Sequence, residues 1–192
     1  FADKITQNAY DKRQFFKLYS SADLNIVCDL HTRRANPIDL MLQTFFWDCP
    51  RVDGKEFQWW NTIREQVPAL AKAGFTSLWL PPVHKAANLG GPSMGYDPYD
   101  YYDLGEFDQK GSVRTKYGTK KQYVAAVKAL QKAGVQVYAD AVLNHRMGAD
   151  AAEVVRATPF PQDDRLRPKG EPREIEAYTH LAFPGRKGKH SK

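Results

Sequence analysis

One heptapeptide, used twice, constrains this chain more than any other feature: Ala69-Leu70-Ala71-Lys72-Ala73-Gly74-Phe75 returns as Ala129-Leu130-Gln131-Lys132-Ala133-Gly134-Val135. In each copy a helical pattern closes on a glycine and an apolar run follows. Ile63, Val67 and Leu70 fall on one helical face before the first glycine, and Tyr123, Val127 and Leu130 repeat that spacing before the second. Gly74 and Gly134 then act as left-handed stops. Thr119 and Gln122 have the capping-box spacing, which fixes the start of the second helix. Pro68 predicts either a kink in the first helix or a start near Gln66.

The runs at 75–80 and 135–142 are too short for helices and rich in β-forming residues, and 40–47 is another such run. Strand, helix, strand, helix, strand is the order of parallel βαβ units covered by helices. The two glycines lie 60 positions apart, so 192 residues hold three units of that size. A closed eight-fold barrel takes roughly 250 residues or more, so the chain is either a small open α/β sheet or a portion of a barrel. The long connection at 81–118 follows a parallel strand, where loops carry function. After Asn144 the pattern breaks down. Residues 147–192 mix Pro, Gly and charge, with weak strand candidates only around 175–183. The Lys- and Gly-rich end at 185–192 is of the kind that proteases nick, so the expectation is a chain cut or ended inside an irregular excursion.

Charge and composition exclude several classes of function. The net charge of +6 is concentrated: residues 165–192 carry eight Lys or Arg against three Glu. These lie among Pro and Gly with no helical period, unlike the folded basic face of a nucleic-acid binder, so no nucleic-acid partner is expected. No apolar stretch approaches the roughly 20 residues of a bilayer helix, so no membrane partner is expected either. Cys28 and Cys49 are equally compatible with a disulfide and with two buried thiols.

Two clusters carry chemistry. Asp140-Ala-Val-Leu-Asn144-His145 stands at the carboxyl end of the third strand pattern, the end where parallel α/β folds bind ligands. Asp140 and Asn144 share strand parity and can both face the mouth. An acid, an amide and an imidazole there suit sugar hydroxyls or a hard cation; equally, they suit a capped loop with a solvent-facing histidine. The second cluster, residues 95–107, places four Tyr and three Asp within positions 96–103. Tyrosine faces stack on pyranose rings and carboxylates bind hydroxyls, whereas a phosphate would be repelled. The alternative is that most of these tyrosines pack the loop onto the rim with wet hydroxyls, leaving one or two for a ligand.

Taken in order, Gln43-Thr-Phe-Phe-Trp47, Leu78-Trp-Leu-Pro-Pro82, Gly95-Tyr-Asp-Pro-Tyr-Asp100, Tyr102-Asp-Leu-Gly-Glu-Phe107, Val113-Arg-Thr-Lys-Tyr-Gly-Thr119, Asp140-to-His145 and Phe183-Pro-Gly-Arg186 resemble the α-amylases of glycoside hydrolase family thirteen, nearest the bacterial liquefying type. The resemblance implies the first three βα units of a TIM (β/α)8 barrel at 38–143, the start of an irregular, β-rich inserted domain after the third strand at 144–192, and an added N-terminal segment at 1–37. It implies retaining hydrolysis of internal α-1,4-glucosidic bonds in starch or a malto-oligosaccharide, with bound calcium. Carried over residue by residue, Asp140 braces the catalytic centre and Asn144 gives an oxygen to calcium. His145 binds hydroxyls of the sugar at the cleavage point, and Tyr96 stacks on that sugar. Gln43 and Trp47 lie near the glycone end of the cleft. There the family usually shows Tyr-Phe-Glu-Trp and this chain has Thr44-Phe45-Phe46-Trp47, which alters the polar contacts at that end.

A retaining glycosidase needs two carboxyl groups about 5 Å apart. In the family those lie on later strands, so no catalytic residue is expected in this chain, Asp97, Asp100, Asp103 and Asp140 included. This polypeptide alone should be inactive and should depend on the C-terminal remainder of the same protein. The alternatives are a non-catalytic glycan-binding relative and a maltogenic or transglycosylating member of the family. Secretion is expected from family habit.

Overall fold

The structure is a computed structural model that describes residues 39–47, 49, 56–88 and 93–190. The expected N-terminal segment and Cys28 lie outside the described residues. In chain order the elements are β1 (Met41–Gln43), α1 (Trp59–Lys72), β2 (Ser77–Leu80), β3 (Lys85–Ala86), β4 (Pro98–Asp100), α2 (Lys120–Lys132), β5 (Gln136–Ala139), β6 (Ala151–Ala157), β7 (Arg173–His180) and a 3₁₀ turn at Pro184–Arg186.

β1, β2 and β5 form a parallel sheet with β2 in the middle, in a register that aligns Leu42, Leu78 and Val137. Each parallel step is bridged by a helix. α1 buries Trp59, Trp60, Ile63, Val67 and Leu70. α2 buries Ala126 and Leu130, with Tyr123 and Val127 half-buried against the same core, so the expected faces form and Ala126 joins the second. Gly74 and Gly134 adopt φ of 87° and 76° after the helices, as the stops require. The Thr119–Gln122 capping box is made in both directions.

Two expectations are corrected, and of the two alternatives at Pro68 the late start is excluded. α1 does not start near Gln66 but runs from Trp59 through Pro68. Pro68 and Arg64 both lie on its exposed side, so the carbonyl that loses its partner can turn to water. The strands are shorter than the apolar runs: β2 and β5 last pair at Leu80 and Ala139, and Pro81 and Pro82 then offer no N–H to continue the ladder. The parity placing Asp140 and Asn144 on one face therefore has no strand to act through. Residues 151–157 were not expected to be a strand, yet β6 pairs antiparallel with β7 through six partner positions. Its alternation of half-buried and exposed residues is set by Ala, Glu and Arg rather than by large apolar side chains, so hydropathy did not mark it.

The loop after β2 is held by buried ions. Arg186, from the 3₁₀ turn, grips Asp100 of β4 with both arms of its guanidinium, Nε lying 2.6 Å from Oδ2 and Nη2 bonding Oδ1. Gln109 Nε2 bridges Asp100 and Asp103 at 2.9 Å each, and Lys85 Nζ stands 3.3 Å from Asp103. Lys85 also donates to the carbonyls of Phe107, Ser112 and Val113, while Asp103 Oδ1 accepts from the amides of Gly105, Glu106 and Phe107. Lys85, Asp100 and Asp103 are wholly buried. Burial alone would raise the Asp100 carboxyl, but the bonds from Arg186, Gln109 and the Tyr102 amide hold it below the usual carboxylate value.

Removing one partner of a buried pair strands the other charge in a low dielectric. Arg186→Ala is expected to lower unfolding free energy by about 3–5 kcal/mol, measured by urea denaturation. A change below about 1 kcal/mol would show that the ion pair does not hold the loop.

Candidate functional site

A cleft of about 370 Å³ opens at the carboxyl end of β1, lined by Gln43, Phe45, Phe46, Trp47, Met94 and Tyr96. Gln43 ends β1 and turns its amide onto the Phe45 carbonyl at 3.0 Å. Trp47 lies in the turn beyond β1, is 72% exposed, and stacks on Tyr96 with ring centroids 6.5 Å apart and planes 6° from parallel. Phe46, where the family usually places an acid, packs its ring edge against Trp59, so this wall of the cleft is apolar.

Tyr96 and Asp140 meet directly: the phenol donates to Asp140 Oδ2 at 2.7 Å. Burial first, and then that bond and the carboxylate charge, push the Tyr96 hydroxyl well above the usual phenol value, so it remains a donor at every working pH. His145 closes the group. Its Nε2 is 2.8 Å from the Tyr96 carbonyl, which can only accept, so Nε2 carries the proton. Its Nδ1 is then the acceptor for the Asn144 amide nitrogen at 3.2 Å. Both ring nitrogens of His145 are thus engaged, and the oxygen of Asn144 is the free end of its amide.

The turn presenting Tyr96 is clamped from several sides. The Met94 carbonyl accepts from Tyr117 at 2.9 Å, the Gly95 amide donates to Ser93 Oγ at 3.1 Å, and the Gly95 carbonyl lies 3.1 Å from His84 Nε2. Asp97 takes the hydroxyl of Ser93 and, at 2.9 Å, the amide of Asn88. Gly95 sits at φ +89°, where an added Cβ would fall 2.8 Å from that of Pro82.

All six residues selected from the sequence, Gln43, Trp47, Tyr96, Asp140, Asn144 and His145, come together at this end of the sheet. Two expectations about the aromatic loop are corrected. Its tyrosine hydroxyls are not generally wet: Tyr99 donates to Asp150 at 2.7 Å and Tyr101 to the His145 carbonyl at 2.8 Å, leaving Tyr102 as the exposed ring. Asp100 and Asp103 are buried in the ion network and cannot bind hydroxyls. Sequence reasoning places Tyr101 only within the tyrosine cluster and does not single out Met94, Tyr117 or His84. Only His84 had a local signal, an imidazole just past a parallel strand's carboxyl end, since the others act through contacts across more than twenty positions.

Cys49 is a buried free thiol, and burial raises it well above the usual thiol value. Among the described residues there is no group of three or more His, Cys, Asp or Glu side chains that could hold a metal ion. No helix among them is long and apolar enough to cross a membrane.

Comparison with known proteins gives one consistent answer. Residues 50–164 match the alpha amylase catalytic domain family. The chain is 46% identical over 151 residues to a glucan 1,4-alpha-maltohexaosidase of Bacillus sp. (strain 707), covering 79% of this chain and 28% of that protein. It is 44% identical over 151 residues to the cytoplasmic alpha-amylase of Escherichia coli (strain K12), covering 79% and 30%. It therefore spans under a third of the length of these curated relatives. Among solved structures, an alternansucrase in complex with isomaltononaose superposes with a TM-score of 0.52 at 30% identity, over 62% of this chain and 10% of that one.

The clamped turn generates a test. Gly95→Ala is expected to cost about 1–3 kcal/mol in urea unfolding and to break the Tyr96–Asp140 bond in a crystal structure. Wild-type stability with the bond intact would show that the turn is not constrained.

Proposed function

Because the chain belongs to the alpha-amylase catalytic domain family, we propose that the whole protein hydrolyses internal α-1,4-glucosidic bonds of starch-like glucans with retention of configuration. In this reading the sheet is the opening of a (β/α)8 barrel, three strands and two helices, and the β6–β7 hairpin begins an inserted domain. The observation that carries the proposal is convergence: Trp47, Asp140 and His145, far apart in sequence, all meet Tyr96 beside the cleft.

The segment's share of the work is orientation. Trp47 and Tyr96 offer aromatic faces to a pyranose ring, and Gln43 is the polar group on the same wall. Asp140 fixes the Tyr96 ring through its hydroxyl. His145 reaches a sugar hydroxyl by exchanging its Nδ1 contact with Asn144, since Nε2 is committed to the Tyr96 carbonyl. Holding a ring in reactive geometry lowers the barrier without making a bond. The nucleophile and the acid come from the remainder of the protein, as Asp100 and Asp103 are buried in ion pairs and Asp140 is tied to Tyr96.

Calcium fits here in part. The outward oxygen of Asn144 is a suitable hard donor, but an ion taking six to eight oxygens needs partners from elsewhere in the protein. Once bound, the ion would fasten the end of β5 to the excursion. Secretion rests on the family resemblance alone, and the Escherichia coli relative is named cytoplasmic; comparing culture medium with cell lysate decides it.

The test is starch hydrolysis by the full-length protein. Release of reducing ends with α configuration at the first-formed product supports the proposal, and glucan binding without turnover would make the protein a non-catalytic glycan binder. Tyr96→Ala in that protein is expected to reduce kcat/KM on maltoheptaose by about tenfold to a hundredfold. The isolated segment is expected to release no reducing ends.

A further inference from the structure

We infer that His84 is a positioning residue that couples the two sugar-facing side chains, Tyr96 and His145, through a single buried imidazole. The inference rests on the glucan reading above and adds to it a residue with no direct sugar contact.

The geometry is specific. His84 follows β2 by four positions, just beyond the Pro81-Pro82 stop, and is 5% exposed. Its Nε2 lies 3.1 Å from the Gly95 carbonyl, which can only accept, so Nε2–H is the donor. That carbonyl belongs to the peptide leading into Tyr96. The same ring meets Tyr101 in a T-shaped contact, centroids 5.6 Å apart and planes 88° apart. Tyr101 in turn donates its hydroxyl to the His145 carbonyl at 2.8 Å. One imidazole therefore holds the loop carrying Tyr96 at two points, and the second of them, Tyr101, is the residue whose hydroxyl reaches the His145 carbonyl. That loop and His145 already meet at the front of the site through the bond between His145 Nε2 and the Tyr96 carbonyl, so His84 closes the ring of contacts from behind.

Charge adds a condition. Burial lowers the His84 pKa, opposed by the Gly95 carbonyl and by the carboxylates of Asp140, Asp97 and Asp100 facing it. A histidine whose folded pKa lies below its unfolded value of about 6.5 stabilises the fold fully above that value. The contribution is lost as pH falls toward the folded pKa, because the unfolded chain then binds the extra proton. The clamp behind Tyr96 and His145 should accordingly loosen on the acid side.

The test compares His84→Phe, which keeps a ring against Tyr101 but removes the donor, with His84→Gln, which keeps an N–H donor and cannot titrate. Both are made in the full-length protein and assayed on maltoheptaose from pH 5 to 8. His84→Phe is expected to lower kcat/KM at least tenfold at pH 7. His84→Gln should stay within about threefold of wild type there and lose less activity than wild type between pH 6.5 and 5. Equal activity of His84→Phe and wild type, or an acid-side loss in His84→Gln matching that of wild type, overturns the inference. If His84→Phe fails to fold, the pH profile of His84→Gln decides alone. A crystal structure of the folded Phe variant separates this inference from the functional reading. Tyr96–Asp140 and Tyr101–His145 bonds both unchanged overturn it whatever the substrate, whereas displaced bonds support it even if the wild-type protein turns over no glucan.

Discussion

The structure depends on two buried carboxylates, Asp100 and Asp103, and the cations brought to them. A sheet of three short strands has no means of its own to hold the long connection between β2 and α2, which carries Tyr96. The connection is fixed instead from within. Lys85, at its start, reaches Asp103 and the carbonyls of Phe107, Ser112, Val113 and Arg114, while Arg186 returns from beyond the β6–β7 hairpin to Asp100. Taking such ions out of water costs several kcal/mol each, and their attraction repays this only with good geometry and further hydrogen bonds. Here those further bonds exist: Asp103 takes three backbone amides and Gln109 spans both acids. The network therefore joins three stretches of chain that hydrophobic packing alone would leave in many arrangements.

A second anchor repeats that logic at the base of the hairpin. Asp150 accepts from the Tyr99 hydroxyl, from Lys110 Nζ and from the amides of Ala182 and Phe183. Burial pushes its carboxyl up, but these four donors outweigh it and hold the group below the usual carboxylate value. Tyr99 thereby ties β4 to the start of β6, and the excursion leaves the sheet in a fixed place although most of the β7 side chains face solvent.

Much of this was legible in the sequence where the deciding forces are local. The repeated helix end, the capping box at Thr119 and the helix faces through Ile63 and Leu130 follow from spacing and backbone preference, which act within a few residues. The ligand end of the sheet was legible for the same reason, since Asp140 and Tyr96 belong to segments whose place relative to a strand is set by short-range pattern. The ion network was not legible. Asp100 and Arg186 are 86 positions apart, and Arg186 counted only as one more charge in a basic tail. β6 was hidden because a two-stranded arm with both faces partly wet needs no strong apolar alternation. The tyrosine loop misled in part because composition says which groups are present and not which of them find each other.

The site that results is preformed, and this sets what a ligand can gain from it. Apart from the Asn144 oxygen, the polar groups singled out at the site already have protein partners: Tyr96 has Asp140, Gln43 has the Phe45 carbonyl, and His145 has Asn144 and the Tyr96 carbonyl. Under the proposed glucan reading, a sugar hydroxyl arriving at His145 or Gln43 would replace one hydrogen bond with another, an exchange worth only about 1 kcal/mol. In that reading, stacking on the open face of Trp47, which is 72% exposed, removes apolar ring surface from water without giving up a hydrogen bond, so it supplies most of the affinity. The polar groups then act on direction rather than strength, because a ring lying on a fixed aromatic face can still rotate until hydroxyls meet His145. Under the same proposed reading, fixing those directions in advance lets binding energy serve orientation, and a segment without a reacting carboxylate would then still govern the rate.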